Sequence, residues 1–213
     1  NVWVALSTGR GWFSGTGRRW HSDFCADGQV CKLGDVNGDG RADLVAFDRG
    51  SSGDVYVSLS LGYGFSPRIR RWHSWFCVGN EVCEVGDVTG DGRADLVAFN
   101  RGARADVWVA RSTGSRFVGT GWKWHDSFCS GNSVCRLGDV NADGRDDVVA
   151  FSRGRSGDVN VVLSSGSHFY GDRRWHSWFC VGSEICEVGD IDGDGDDDIV
   201  AFERGARGRV YGA

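Results

Sequence analysis

The chain has 213 residues, a formal net charge of −5, 40% hydrophobic and 25% charged residues, the composition of a globular protein long enough to bury one sizeable core. It contains no apolar run approaching the roughly 18 residues of a membrane-spanning helix, and no basic run that would indicate nucleic-acid binding. Its 34 glycines and single proline favour many tight turns between short strands.

The predicted elements recur in one order. Residues 1–21 contain an alternating strand that begins Val2-Trp3-Val4 and a second strand that ends at Trp20-His21; a cysteine loop, a strand over 30–36, an acidic loop and a strand over 43–48 follow. The cycle then restarts at residues 54, 106 and 158, and the landmark tryptophans lie at 20, 72, 124 and 175, so the period is 51 or 52 residues. No segment shows a helical period.

Four strands per unit of about 50 residues are typical of β-propeller blades. A β-solenoid has shorter coils, and separate domains are disfavoured because one four-stranded unit cannot bury its own faces. We therefore predict an all-β, single-domain propeller over 1–213 with four blades, from repeats at about 1–53, 54–105, 106–157 and 158–208 and a closing strand at 209–213. Residues 1–20 are predicted to close the ring by completing the last blade, because closure removes exposed sheet edges.

Each repeat carries an acidic loop that begins, in its first copy, Asp35-Val36-Asn37-Gly38-Asp39-Gly40. Oxygen-bearing side chains stand at alternate positions, and the glycine at the sixth position permits a sharp turn around one ion. The loop is not an EF-hand, because its twelfth position is alanine rather than glutamate. A metal-free acidic turn is the alternative for one copy, but four copies in register favour four calcium ions.

The predicted metal-site residues are Asp35, Asn37, Asp39, Arg41 and Asp43; Asp87, Thr89, Asp91, Arg93 and Asp95; Asp139, Asn141, Asp143, Arg145 and Asp147; and Asp190, Asp192, Asp194, Asp196 and Asp198.

Eight cysteines form four pairs, each with five residues between its members: Cys25/Cys31, Cys77/Cys83, Cys129/Cys135 and Cys180/Cys186. Zinc is the competing interpretation, but zinc pairs are usually two to four residues apart and have a second pair nearby. One local disulfide per repeat is therefore predicted, across a cysteine loop that runs from the first to the second member of each pair. Disulfides indicate a secreted protein.

The acidic loop, its Leu-Val-Ala-Phe continuation and the following Asp-Val-Tyr-Val strand resemble the FG-GAP/VCBS repeat family, which includes the calcium-binding blades of integrin α-subunits and secreted propeller lectins. The resemblance covers essentially the whole chain. It implies a propeller with calcium in the hairpin between the first two strands of each blade. The integrin heads and related fungal lectins have seven blades, whereas this chain contains four sequence repeats.

Repeats two and four share Trp-His-Ser-Trp-Phe-Cys-Val-Gly, so the repeats alternate in pairs, with two-fold pseudo-symmetry. Their extra tryptophans, Trp75 and Trp178, replace Asp23 and Ser127 of the sister repeats, so the fold does not need an aromatic side chain there. Two interpretations of the Trp-His segments stay open: a packed core between blades, or an aromatic platform for a sugar. The residues predicted to bind a ligand are Trp72, His73, Trp75, Glu81, Trp175, His176, Trp178 and Glu184.

Three functions follow from these patterns. The first is a secreted, calcium-stabilised, lectin-like protein whose partners are soluble or cell-surface glycans, with a homo-oligomer possible because repeated weak sites gain avidity together. The second is a protein-interaction or adhesion module excised from a larger secreted protein. The third is a polysaccharide-degrading enzyme; it is disfavoured, because no catalytic motif occurs and the abundant carboxylates lie in the acidic loops.

Overall fold

The computed structural model describes residues 1–153, 155–204 and 208–213, so residue 154 of the predicted third repeat and residues 205–207 of the fourth lie outside the description. The described residues form seventeen strands in five antiparallel sheets, numbered I to V along the chain. Their bounds are as follows: sheet I, β1 (Val2–Ser7) and β2 (Phe13–His21); sheet II, β3 (Gln29–Gly34), β4 (Asp43–Asp48), β5 (Val55–Ser58) and β6 (Arg70–His73); sheet III, β7 (Val82–Gly86), β8 (Asp95–Phe99), β9 (Val107–Ser112) and β10 (Phe117–His125); sheet IV, β11 (Val134–Gly138), β12 (Asp147–Phe151), β13 (Val159–Ser164) and β14 (Phe169–His176); sheet V, β15 (Ile185–Gly189), β16 (Asp198–Phe202) and β17 (Val210–Gly212).

The all-β propeller is confirmed, but the prediction of four blades closed by the N-terminal strands is wrong. Five blades are present, because β1 and β2 pair only with each other and form a blade of their own. The third-strand position beside β16 is taken by β17, where Ala201 pairs with Tyr211 and Phe202 with Val210. A nearby strand closes a much shorter loop onto β16 than residues 2–7 would, so its pairing loses less chain entropy.

The second strand of each complete blade is buried on both faces. Every residue of β8 and β12 is buried, as are the first five of β4. These strands read as continuous apolar runs because each sheet has a neighbouring sheet on either side. Phe47, Phe99 and Phe151 are fully buried at equivalent positions and anchor the core of their blades.

Neighbouring sheets pack through their first strands, β3 on β7, β7 on β11 and β11 on β15, which we call the inner strands. Each inner strand ends in a glycine, and at the first three of them the next sheet packs over that glycine. A Cβ on Gly34 would lie 2.5 Å from Val85 Cγ1, and one on Gly86 would overlap Leu137 and the Asp146 carboxylate. These glycines are therefore required by close approach between sheets rather than by an unusual φ.

Two of the landmark tryptophans, Trp72 and Trp124, are buried between sheets. The ring centroid of Trp72 lies 5.5 Å from that of Phe117 in the next sheet, and Trp124 and Phe169 are 5.3 Å apart. Trp72 and Trp124 are only 6% exposed. The core interpretation of the Trp-His segments therefore holds at these positions.

The four predicted disulfides are present, with Cα atoms 5.7–6.1 Å apart: Cys25–Cys31, Cys77–Cys83, Cys129–Cys135 and Cys180–Cys186. The described residues include no unpaired cysteine. None of the described residues forms a helix long and apolar enough to cross a bilayer.

The second cysteine of each pair lies in the first strand of its sheet. Cys83 is the second residue of β7, opposite Ala98, and Cys186 is the second residue of β15, opposite Ala201. They are 3% and 0% exposed. Strand pairing therefore carries both residues into the core. Their pairing is confirmed, and as site residues they serve the fold rather than a ligand surface.

Removing one disulfide should lower the free energy of unfolding more where the bridge is buried than where it is exposed. Cys129 and Cys135 are 3% and 1% exposed, whereas Cys25 is exposed and Cys31 half-buried. The double variant Cys129→Ala/Cys135→Ala is expected to lose about 2–3 kcal/mol of unfolding free energy, because a bridge over a short loop is worth about 2 kcal/mol and buried sulfur contacts are lost as well. Urea denaturation of both double variants checks this; an equal or larger loss for Cys25→Ala/Cys31→Ala would contradict it.

Candidate functional site

The acidic loops join the first and second strands of sheets II to V, where the family resemblance placed them. In the first loop the Asp35 carboxylate accepts hydrogen bonds from the backbone N–H groups of Gly38 (2.8 Å), Asp39 (3.1 Å) and Gly40 (2.6 Å). Gly38 and Gly40 have φ of 78° and 79°, the left-handed region that glycine adopts without strain. The loop thus curls around its first carboxylate, which three backbone N–H groups hold in place.

The ninth-position aspartates, Asp43, Asp95 and Asp147, are completely buried. One oxygen of Asp95 accepts a 2.7 Å hydrogen bond from the Ser112 N–H group, and Asp147 is held equally by Ser164. The other oxygen of Asp95 and of Asp147 is buried without a hydrogen-bond partner. Burial raises the pKa of Asp43 to about 6 and those of Asp95 and Asp147 to about 7, so the bare carboxylates are held in surroundings that disfavour their charge.

This donor set fits a hard divalent cation. An orphaned buried carboxylate oxygen is costly unless something neutralises it, and several oxygens with no nitrogen or sulfur ligand are the set that calcium prefers. Asp43, Asp95 and Asp147 would each hold one ion together with the other oxygens of its own loop. The ion would offset the mutual repulsion of the carboxylates in that loop.

The arginines predicted as part of these sites do not offer their side chains to a cation. Arg41 Nη2 lies 2.5 Å from the Asp39 carboxylate, Arg145 Nη2 lies 2.6 Å from that of Asp143, and Arg93 makes the same ion pair with Asp91. A guanidinium is a cation itself, so only the backbone carbonyl at this position could join the ligand set.

The fourth loop is the most acidic. Side-chain oxygens of Asp190, Asp192 and Asp194 lie within 4.8 Å of one another, and all three residues are exposed. The corresponding third position is Asn37, Thr89 or Asn141 in the other loops, which therefore hold fewer carboxylates.

A repeated arginine in the turn after the second strand has a structural role that the sequence did not reveal. Arg101 Nη1 donates to the Gly131 carbonyl (2.7 Å) and Arg153 Nη1 to the Gly182 carbonyl (3.2 Å); Arg49 makes the equivalent bond to Gly79. Each guanidinium thus ties one sheet to the cysteine loop that precedes the next sheet, which we call the disulfide loop from here on.

Trp75 and Trp178 lie two residues before the first cysteine of their pairs, with exposed fractions of 60% and 68%. Their φ angles are 61° and 60°, and Ser127 at the equivalent position has φ 58°. A bulky L-residue in this region is strained by roughly 1–2 kcal/mol. The fold therefore does not favour tryptophan here, and strained residues concentrate at functional positions.

Trp75 lines a cleft of about 290 Å³ on sheet III together with Trp108, Glu81, Asn100 and the disulfide loop. Trp108 lies on β9 opposite Ala98 and is half-buried, as is Asn100. Both residues were missed by the sequence analysis, because only the sheet register brings β9 beneath the disulfide loop.

The same strand register shows which residue holds the position of Trp108 on the other sheets. Tyr211 pairs with Ala201 just as Trp108 pairs with Ala98, so sheet V combines Trp178 with a second aromatic residue. On sheet IV the position of Trp108 is held by Asn160, opposite Ala150. The aromatic residue on the strand does not follow the pairwise alternation, because Tyr56 pairs with Ala46 on sheet II, where Asp23 stands in place of the tryptophan. On sheet II a cleft of about 300 Å³ contains Asp23, Asp48 and Tyr56 instead.

Two of the residues predicted to bind a ligand are in the core. Trp72 is 6% and His73 7% exposed, and the His73 ring packs edge-on against Phe76 at 5.4 Å. By contrast, Trp175 is 49% exposed and His176 is also exposed. The prediction that these four residues lie at a ligand surface was therefore wrong for Trp72 and His73 on sheet II, because Phe117 of the next sheet covers Trp72.

Glu81 and Glu184 have a local role beside the predicted one. Glu81 accepts a 2.9 Å hydrogen bond from the Val78 N–H group, and Glu184 a 2.8 Å bond from that of Val181. Burial raises the pKa of Glu81. Each carboxylate closes its disulfide loop through Oε2, and the Glu81 carboxylate lies at the edge of the cleft on sheet III.

Comparisons with known proteins agree with this architecture. A family model described as FG-GAP-like repeat matches residues 35–98 and 87–150. Among solved structures, the Photorhabdus luminescens Tc holotoxin pore is similar, with 16% identity and a TM-score of 0.58 over 84% of this chain and 9% of that chain. That likeness concerns the fold alone, and this chain spans a small part of the toxin chain. No curated protein sequence matches significantly.

Proposed function

This chain belongs to the FG-GAP-like repeat family, and we propose that it is a calcium-stabilised, secreted binding module that takes neutral saccharides in the cleft on sheet III and at the equivalent surface of sheet V. The observation that carries the proposal is the pair of exposed tryptophans at strained backbone positions, Trp75 and Trp178. Four disulfides support an extracellular location. The module acts by binding, and its loop carboxylates serve calcium rather than catalysis.

The cleft on sheet III has the chemistry of a sugar site. Trp75 and Trp108 offer apolar surfaces for the C–H face of a pyranose ring, while Asn100 and Glu81 offer polar groups to its hydroxyls. A volume of about 290 Å³ suits one or two sugar residues. The half-buried Glu81 carboxylate would repel an anionic sugar, so the ligand is a neutral one.

A panel of neutral and acidic oligosaccharides, followed by calorimetric titration of the best ligand, tests this proposal. Trp75→Ser and Trp178→Ser are each expected to weaken binding at their own site by about 1–3 kcal/mol, the value of a large apolar contact. Neither should lower the melting temperature, because serine occupies the same backbone conformation at Ser127. The double variant should lose avidity altogether.

Trp12→Ser is the matched control, because Trp12 is 61% exposed and does not line the cleft on sheet III. Its binding should equal that of the wild type. The proposal fails if the cleft variants unfold the protein while sparing binding, or if Trp12→Ser weakens binding equally.

Adhesion to another protein is the second candidate, and one observation favours it. Trp12 and Phe13, between β1 and the start of β2, are 61% and 68% exposed, and aromatic residues of this kind are enriched at protein interfaces. Absence of binding to any saccharide, with capture of a protein that Trp12→Ser abolishes, would favour this function.

A further inference from the structure

Sheet III departs from a residue pair that sheets I, II and IV share. In those sheets a leucine stands in or directly after the third strand of the repeat and an arginine stands on the fourth: Leu6 and Arg18, Leu59 and Arg70, Leu163 and Arg173. The register places each arginine opposite a valine, and Trp122 lies opposite the equivalent Val109. Sheet III therefore has Arg111 in the place of the leucine and Trp122 in the place of the arginine.

The fold itself gives no reason for this exchange. Three sheets form with the leucine and arginine pair, so the strands do not require the other one. A charged side chain on an outermost strand also protects that strand from pairing with other chains. Trp122 instead places a 40% exposed aromatic ring on β10. A local departure that the fold does not need points to a role in binding.

The exchanged residues are held together in a defined geometry. Arg111 Cζ lies 4.6 Å from the centroid of the Trp122 ring, which is a cation–π contact. Gly119 packs against the same ring: a Cβ there would lie 2.5 Å from Trp122 Cε3, and its φ of 114° is one that glycine adopts readily. The backbone thus fixes the ring, and the ring fixes the guanidinium.

The pair lines a cleft of about 510 Å³ between sheets III and IV. Its other lining residues are Gly121, Lys123, Trp124 and Ser167. Ser167 belongs to the turn between β13 and β14, so the next sheet supplies a hydroxyl to the cleft. The lining therefore combines tryptophan surface, a hydroxyl group and two cationic side chains.

The two cations of the cleft differ in how far their charge is compensated. Lys123 Nζ lies 3.6 Å from the Asp106 carboxylate and forms a second ion pair with Asp126. Arg111 is exposed and makes no ion pair with any described residue. A guanidinium that is stacked on an aromatic ring keeps its N–H edge available, and this edge matches two oxygens of one carboxylate or sulfate group.

We propose that this cleft binds an acidic saccharide residue through its carboxylate or sulfate group. Arg111 donates two parallel N–H hydrogen bonds to the anion, and Trp122 keeps the guanidinium in place. Ser167 donates its hydroxyl to the sugar, and the exposed part of the Trp122 ring contacts the C–H groups of the sugar.

The choice of a saccharide rests on the proposed function. Gly121 lines both this cleft and the cleft of Trp75 and Trp108, so the two lie side by side on sheet III. Their charges differ, because Glu81 lies in the first cleft and Arg111 in the second. The first therefore takes a neutral sugar residue and the second an acidic one.

A nuclear magnetic resonance titration in calcium buffer tests this site. The backbone amide signals of Gly121 and Ser167 are followed as glucuronic acid, glucose or inorganic sulfate is added. Glucuronate and sulfate are each expected to shift both signals, with a dissociation constant of about 10 mM or lower. Glucose, which lacks the carboxylate, should leave the Ser167 signal unchanged.

The decisive variant restores the residues of the other sheets. Arg111→Leu/Trp122→Arg keeps the net charge, and it should melt as the wild type does because three sheets fold with this pair. Its affinity for glucuronate and sulfate should fall at least about tenfold, since the charged hydrogen bonds to the anion are lost. Arg111→Lys keeps the charge without the planar fork and should bind more tightly than Arg111→Leu but more weakly than the wild type.

Arg10→Leu is the matched control for Arg111→Leu. It removes the same charge from an exposed position between β1 and β2 and should bind both anions as the wild type does. The proposal is overturned if neither anion shifts the two signals at about 50 mM, or if sulfate binds and glucuronate does not. It is equally overturned if the restoring variant binds as tightly as the wild type, or if Arg10→Leu weakens binding as much as Arg111→Leu.

These outcomes are separable from those for the neutral-sugar cleft. Glucuronate binding that is lost in Arg111→Leu but kept in Trp75→Ser supports the acidic site, whether or not neutral saccharides bind. Binding of neutral saccharides that is lost in Trp75→Ser but kept in Arg111→Leu supports the proposed function, even where both anions fail to bind.

Discussion

Excess chelator is expected to lower the melting temperature of this protein by at least about 20 °C relative to a calcium-saturated sample. Each site filled at 100 times its dissociation constant stabilises the fold by about 2.7 kcal/mol, so four sites supply roughly 11 kcal/mol, and a domain of this size shifts by about 2–4 °C per kcal/mol. Without the ion, the buried Asp95 carboxylate and its neighbours Asp87 and Asp91 repel one another. Thermal denaturation followed by circular dichroism, over a series of calcium concentrations, measures the shift.

Asp95→Asn is the matched variant for this experiment. With calcium present it should melt below the wild type, because one ligand charge is lost. In excess chelator it should melt above the wild type, because a buried neutral amide costs less than the orphaned carboxylate of Asp95. An unchanged melting curve in chelator, or an Asp95→Asn variant that melts lower under both conditions, would contradict a structural role for calcium.

Gly86→Val is expected to destabilise the fold by about 3 kcal/mol or more, which corresponds to roughly 10 °C in melting temperature. Its Cβ would overlap the Asp146 carboxylate and Leu137 of the next inner strand. Separation of sheets III and IV would also weaken the hydrogen bond from the Asp146 N–H group to the Asp87 carbonyl. Urea denaturation at low protein concentration gives the loss.

Gly189→Val is the control for this substitution, because the equivalent position on β15 is open within 4 Å. A change of about 0.5 kcal/mol or less is expected there, since valine suits a strand better than glycine does. Equal losses at the two positions would show that the strand backbone, rather than contact between sheets, requires glycine at Gly86.

Functional residues whose partners lie close by in the chain were predicted from the sequence, whereas those whose partners lie on a distant strand were missed or misassigned. The acidic loops and the pairing of the cysteines were predicted because each is contained within ten residues, so the ligand or cysteine spacing is itself the signal. Trp108 and Asn100 were missed because they join Trp75 only through the pairing of β8 with β9. Trp72 and His73 were assigned to a ligand because a Trp-His pair looks the same in sequence whether or not a later strand covers it.

What the sequence determined by itself was therefore the repeating unit: four short strands, one oxygen-lined loop and one disulfide, each specified by residues close together in the chain. The tertiary structure decided how the units join at the first and last sheets. The chain contains two segments with the pattern of a third strand, at Val2-Trp3 and Val210-Tyr211, and sequence similarity cannot rank them. Val210 lies a few residues beyond Phe202 and pairs with it, so the nearer segment occupies β16 with the smaller loss of chain entropy. The N-terminal strands consequently form a fifth blade instead of closing a ring of four.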